Sequence, residues 1–90
     1  MTMEKNGLAK LVEECGELIQ VAAKKMAFMH TDKHPDGNGS LKNRMEEEAG
    51  DVLAAIIFVK ENFGLSEANI ELRTGEKLAK FRAWHADPNA

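Results

Sequence analysis

The chain has 90 residues, of which 43% are apolar and 30% charged, and it carries a net charge of −3. That length suits one domain, residues 1–90, with a modest core, and the acidic balance argues against a nucleic-acid binder working through a basic face. No run reaches the roughly 18 apolar residues of a membrane span, no signal peptide opens the sequence, and the single cysteine has no internal partner. A reduced, cytoplasmic protein is expected.

Two prolines, no tyrosine and a dominance of alanine, leucine, glutamate and lysine predict an all-α fold. Leu8, Leu11, Val12, Cys15, Leu18, Ile19, Ala22, Met26 and Met29 recur every three or four residues. They form one apolar stripe, which predicts a helix that starts somewhere in residues 2–8 and ends near Met29. Thr31 to Ser40 (TDKHPDGNGS) is polar and holds a proline and two glycines, so it reads as a flexible loop. Ser40 is placed to cap a second helix that runs to Phe63 and stops at Gly64.

The middle of that helix, Val52 to Val59 (VLAAIIFV), is apolar on every side and needs partners on every side. A protomer of three or four helices does not supply them. The expectation is therefore a helical bundle completed by homo-oligomerisation. Ser66 is a further N-cap, with Leu65 set to staple against Ile70. Gly75 is expected to weaken this third helix, with Lys77 to Phe81 continuing as a separate segment and Ala83 to Ala90 as a frayed tail or an intersubunit contact.

A six-residue word occurs twice, as Glu13-Glu14-Cys15-Gly16-Glu17-Leu18 and as Glu47-Glu48-Ala49-Gly50-Asp51-Val52. Successive helical residues are about 100° apart. Glu14 and Glu17 therefore share one side of the first helix, and Glu48 and Asp51 one side of the second. An antiparallel hairpin would aim these four carboxylates at one point. Each mid-helix glycine costs about 1 kcal/mol relative to alanine, and like charges one turn apart repel by roughly 0.2–0.5 kcal/mol. Facing clusters multiply that repulsion unless a cation neutralises it. Carboxylate oxygens suit Mg²⁺, with Mn²⁺ as an alternative, better than zinc. Gly16 and Gly50 would let the helices, or a substrate, approach closely.

The simpler alternative is a solvated acidic face in which Lys10–Glu14 and Arg44–Glu48 are ordinary ion pairs four residues apart. Two copies of the word, each followed by a long apolar run, weigh against it. Phe28, Phe58, Phe63 and Cys15 are read as core residues, and His30, His34 and His85 show no ligand spacing.

EECGEL followed by EEAGDVLAAIIFV resembles the EExxE…ExxD signature of the MazG-like, all-α nucleoside triphosphate pyrophosphohydrolases. The resemblance extends over about residues 8–82, including the closing Glu76 to Arg82 (EKLAKFR). It implies a helical bundle, assembled as a dimer or tetramer, that hydrolyses a nucleoside triphosphate to monophosphate and pyrophosphate with Mg²⁺. By motif, Glu14, Glu17, Glu48 and Asp51 would hold the metal. Glu13 would be an accessory ligand or the carboxylate that deprotonates the attacking water. One departure is a separation of 30 residues between Glu17 and Glu48, slightly longer than the family pattern.

Lys24, two turns beyond Glu17, and the basic group Lys77, Lys80 and Arg82 are candidates for the polyphosphate. Trp84 is a candidate for stacking on a base, as is Phe81. Two alternatives stay open. One is phosphoribosyl-ATP pyrophosphohydrolase, against which stands Ala55, where an aromatic or histidine would be expected. The other is a non-catalytic helical dimerisation or regulatory module.

Overall fold

A computed structural model describes residues 5–32 and 39–89. Among these the chain forms three helices, α1 (Leu8–Ala27), α2 (Leu41–Phe63) and α3 (Glu67–Ala86), and no β-strand. The all-α expectation holds. Of the expected loop, residues 33–38, His34 included, lie outside the described residues.

Helix ends follow from local chemistry. Gly7, in the left-handed region at φ 93°, turns the chain into α1, and Asn6 Oδ1 accepts the Leu8 N–H at 2.9 Å. At the far end Lys25 Nζ donates to the carbonyl of Thr31 at 3.1 Å, and α1 stops at Ala27, two residues short of Met29. Asp32 then ties the return. Its carboxylate accepts the Lys42 N–H at 2.7 Å, and its carbonyl accepts that of Leu41. Ser40 caps α2 as expected, accepting the Asn43 N–H at 3.0 Å. Gly64, at φ 61°, ends it. The Leu65 N–H then reaches back to the Lys60 carbonyl, as a left-handed C-terminal cap requires.

α3 departs from expectation. It is continuous through Gly75 and reaches Ala86, so Ala83 to Ala86 are helical rather than frayed. The Ser66 cap accepts the Asn69 N–H at 3.1 Å. Thr74 Oγ1 donates to the Ile70 carbonyl at 2.8 Å, and Arg73 pairs with Glu76 at 3.3 Å across the glycine. A single glycine costs about 1 kcal/mol, which good helix formers on either side offset.

α1 and α2 pack along their length as an antiparallel pair, and among the described residues no other helix pair does so. The buried apolar side chains are Val21, Leu41, Ala55 and Val59. This corrects the reading of the α1 stripe. None of its apolar members is buried, and the one buried residue of α1 is Val21, which lies outside it. Phe28, Phe58 and Phe63 are likewise 43–48% exposed rather than core. α3 buries nothing. The radius of gyration is 16.0 Å, against about 12 Å for a compact chain of this length. The accessible surface is 7084 Å², against about 5,200 Å² for a folded monomer of this mass.

Candidate metal centre

The two acidic words meet. The antiparallel register sets Gly7 against Phe58 and Val59, and it brings Glu14 near Asp51 and Glu17 near Glu48. Glu14, Glu17, Glu48 and Asp51 each offer a carboxylate oxygen, and these oxygens all lie within 4.8 Å of one another. Two helices contribute two acids each, as three-residue spacing on facing helices requires.

The electrostatics of the cluster are those of charges held together against their repulsion. Burial pushes the Glu14 carboxyl up from the ordinary glutamate range, and the negative charges of Glu17, Asp51 and Glu13 push it further. Glu48 is also raised, first by burial, then by the hydrogen-bonding approach of the Glu17 side chain and by the charges of Glu17 and Asp51. Arg44, one turn before it, pulls the other way. The Arg44–Glu48 ion pair of the simpler alternative is not among the ion pairs of the described residues, and Arg44 Nε is buried without a hydrogen-bond partner. Lys10 pairs with Glu13 at 3.4 Å rather than with Glu14.

Two oxygens decide whether a cation suits this site. Glu14 Oε2 and Glu48 Oε2 are buried and accept no hydrogen bond. A buried carboxylate oxygen without a donor is costly, and a cation satisfies it directly. Both belong to the cluster of four. An all-oxygen donor set suits a hard divalent ion. The sequence profile of the MazG nucleotide pyrophosphohydrolase domain matches residues 3–81.

The chain belongs to the MazG family.

Neither a curated protein nor a solved structure matches it. The family acts on nucleotides and is in general dependent on a divalent metal, which agrees with the acidic cluster. No helix among the described residues is long and apolar enough to cross a membrane.

Beside the acids of this MazG domain a groove of about 280 Å³ opens, lined by Lys10, Glu14, Asp51, Ala54, Ala55 and Phe58. Lys10 and Phe58 are not among the site residues expected from the sequence, which reads Lys10 as an ion-pair partner of Glu14 and Phe58 as core, although both spacings were legible. Lys10 precedes Glu14 by one turn, and Phe58 follows Asp51 by two.

The proposed substrate residues are not gathered here. Lys24 is half-buried on α1, and it does not line the groove. Lys77, Lys80, Arg82 and Trp84 are exposed on α3, which does not pack along α1. Lys77 instead lines a shallow apolar hollow on α3 with Ile70, Arg73, Thr74, Leu78 and Phe81. The glycines of the repeated word do not serve the packing of α1 on α2: a Cβ built on Gly16 or Gly50 meets nothing within 4 Å.

Proposed function

We propose that this protein is a Mg²⁺-dependent nucleoside triphosphate pyrophosphohydrolase that converts a (deoxy)nucleoside triphosphate to the monophosphate and pyrophosphate. The observation that carries the proposal is the convergence of four carboxylates, two with orphaned buried oxygens, in a chain of the MazG family. In this reading Glu14, Glu17, Glu48 and Asp51 hold the ion. When bound, the ion supplies charge neutralisation for the polyphosphate, and Mn²⁺ has the same coordination preferences.

Phosphoryl chemistry depends on positioning and charge more than on a protein nucleophile. The residues of the chain therefore divide the remaining work. Glu13, exposed at the edge of the cluster and held by Lys10 at 3.4 Å, takes the proton of the attacking water. Lys24, Lys77, Lys80 and Arg82 meet the polyphosphate and Trp84 the base. The last four belong to α3, so they reach an acidic cluster only in an assembly, and a homo-oligomer, dimer or tetramer, is part of the proposal. A lone free cysteine and a nucleotide substrate both suit the cytoplasm. Removal of damaged or surplus nucleotides would be a fitting use.

The test is a panel of ribo- and deoxynucleoside triphosphates, assayed with Mg²⁺ for monophosphate and pyrophosphate. Release of both from at least one nucleotide, abolished by EDTA, is the expected result. Stabilisation by Mg²⁺ without hydrolysis of any member would replace the enzyme with a non-catalytic module.

A further inference from the structure

The apolar stripe of α1 is only partly covered within the protomer: Leu8, Leu11, Cys15, Leu18 and Ala22 are half-buried, and its exposed part has a pattern of its own. Ala9, Val12, Gly16, Ile19, Ala23 and Met26 alternate at three- and four-residue spacing, the repeat of a coiled-coil seam. Small residues occupy one seam position and large apolar residues the other. Val12 is 74% exposed, Ile19 67% and Met26 75%, and Ala9, Gly16 and Ala23 are exposed beside them. Ile19 lies about 200° around the helix from Val21, and Val21 is the α1 residue buried against α2. The seam therefore faces away from α2. α3 does not pack along it either.

The seam is complementary to itself in only one direction. In an antiparallel pair of seams, each position of one kind faces a position of the other kind. When two copies of α1 cross with their midpoint between Glu17 and Leu18, Ala9 faces Met26 of the other copy, Val12 faces Ala23, and Gly16 faces Ile19. Every large side chain meets a small one. A parallel pair would set Gly16 against Gly16 and Met26 against Met26, leaving gaps and collisions in alternate layers. The absence of any atom within 4 Å of a Cβ at Gly16 is the space that the facing isoleucine would fill.

The occupant is a second copy of this chain. An isologous two-fold contact uses the same patch on both partners, which is what a self-complementary seam provides. The accessible surface of 7084 Å² exceeds that of a compact monomer of this mass by well over the roughly 800 Å² per partner of a stable interface. We propose that α1 pairs antiparallel with α1 of a second copy through Ala9, Val12, Gly16, Ile19, Ala23 and Met26. The proposal rests on the self-association inferred above and specifies which surface carries it.

Sedimentation equilibrium of the full chain, with far-UV circular dichroism of each variant, tests the contact independently of any nucleotide assay. Ile19→Glu places a carboxylate on an exposed position of the protomer and should raise the dissociation constant by about 30-fold or more. Gly16→Leu, which favours the helix, should fill the seat of the facing isoleucine and weaken association in the same way. Ala9→Glu alone should weaken it. Adding Met26→Lys should restore association, because the new carboxylate and the new ammonium face each other twice in an antiparallel pair. In a parallel pair the double variant would oppose like charges and associate less than Ala9→Glu. A monomeric wild type would overturn both the self-association and the seam. A wild-type oligomer unaffected by Ile19→Glu and Gly16→Leu, or a double variant weaker than Ala9→Glu, would overturn the seam alone.

Discussion

Glu17 of α1 and Glu48 of α2 face each other across the antiparallel pair, and the closeness of the Glu17 carboxylate adds to burial in raising the Glu48 carboxyl above the ordinary glutamate range. Such a contact between two acids lowers the stability of the metal-free fold. It persists because the helices that hold it are positioned by Val21, Leu41, Ala55 and Val59, and those side chains do not depend on the charge state of the cluster. The packing thus holds the carboxylates close at a cost to stability, and in the proposed metal site that cost would be exchanged for cation affinity.

Glu48→Gln should therefore have opposite effects on the two states. Without metal it removes a buried, repelled carboxylate, so the melting temperature in EDTA should rise. With Mg²⁺ the stabilisation that a ligand gives to the folded state should largely disappear, and Mg²⁺ affinity should fall by more than about 100-fold, beyond the loss typical of outer-shell changes. Scanning calorimetry at several Mg²⁺ concentrations measures both. Equal melting temperatures for wild type and variant in EDTA, with unchanged Mg²⁺ stabilisation, would remove Glu48 from the site.

The pH dependence follows from the raised carboxyls of Glu14 and Glu48. In the unfolded chain these groups titrate near the ordinary value of 4.5, so in the window above it the folded state holds more protons than the unfolded one. Stability of the metal-free protein should then fall as pH rises through that window, and the lost stability should return on acidification toward 4.5. With saturating Mg²⁺ the slope should reverse, since binding displaces those protons. Melting curves from pH 4.5 to 7 in EDTA and in Mg²⁺ would show the crossing.

What the sequence disclosed was governed by short spacings. The pairing of Glu14 with Glu17 and of Glu48 with Asp51 needs only helical periodicity, and Ser40, Gly64 and Ser66 act on their own neighbours. All of these were legible. What Val12, Ile19 and Met26 pack against was not, because an apolar stripe states that a helix has a partner and does not state which. The core reading of Phe58 failed for the same reason: its ring walls the groove beside Asp51. Gly75 was misread because helix propensity is a small local term that the Thr74 and Arg73 contacts offset.

No residue of α3 is buried within the protomer, so local substitutions should register there at nearly full strength. Gly75→Ala adds a methyl that meets nothing within 4 Å and should stabilise the helix by about 1 kcal/mol. Ser66→Ala removes the acceptor of the Asn69 N–H and should cost about 1 kcal/mol. Hydrogen exchange of the α3 amides reads both changes, slowing in the first variant and quickening in the second. A protection pattern insensitive to either would mean that α3 is held by contacts outside its own chain.

The entry to α1 depends on Gly7 for two separable reasons. Its φ of 93° lies in the left-handed region, where a side chain adds about 1–2 kcal/mol, and a Cβ there would stand 2.6 Å from Phe58 Cδ2. Gly7→Ala should thus destabilise the fold by about 1–3 kcal/mol. Pairing it with Phe58→Leu removes the collision and leaves the backbone strain. If both reasons hold, the double variant should be destabilised by less than the sum of the two single ones, a coupling that a double-mutant cycle in urea denaturation measures directly. Additive losses would mean that the ring of Phe58 moves aside freely and that backbone conformation alone requires the glycine. Because Phe58 also walls the groove beside Glu14 and Asp51, a shift of its ring in Gly7→Ala should appear as a raised KM for nucleotide, with the Mg²⁺ dependence unchanged.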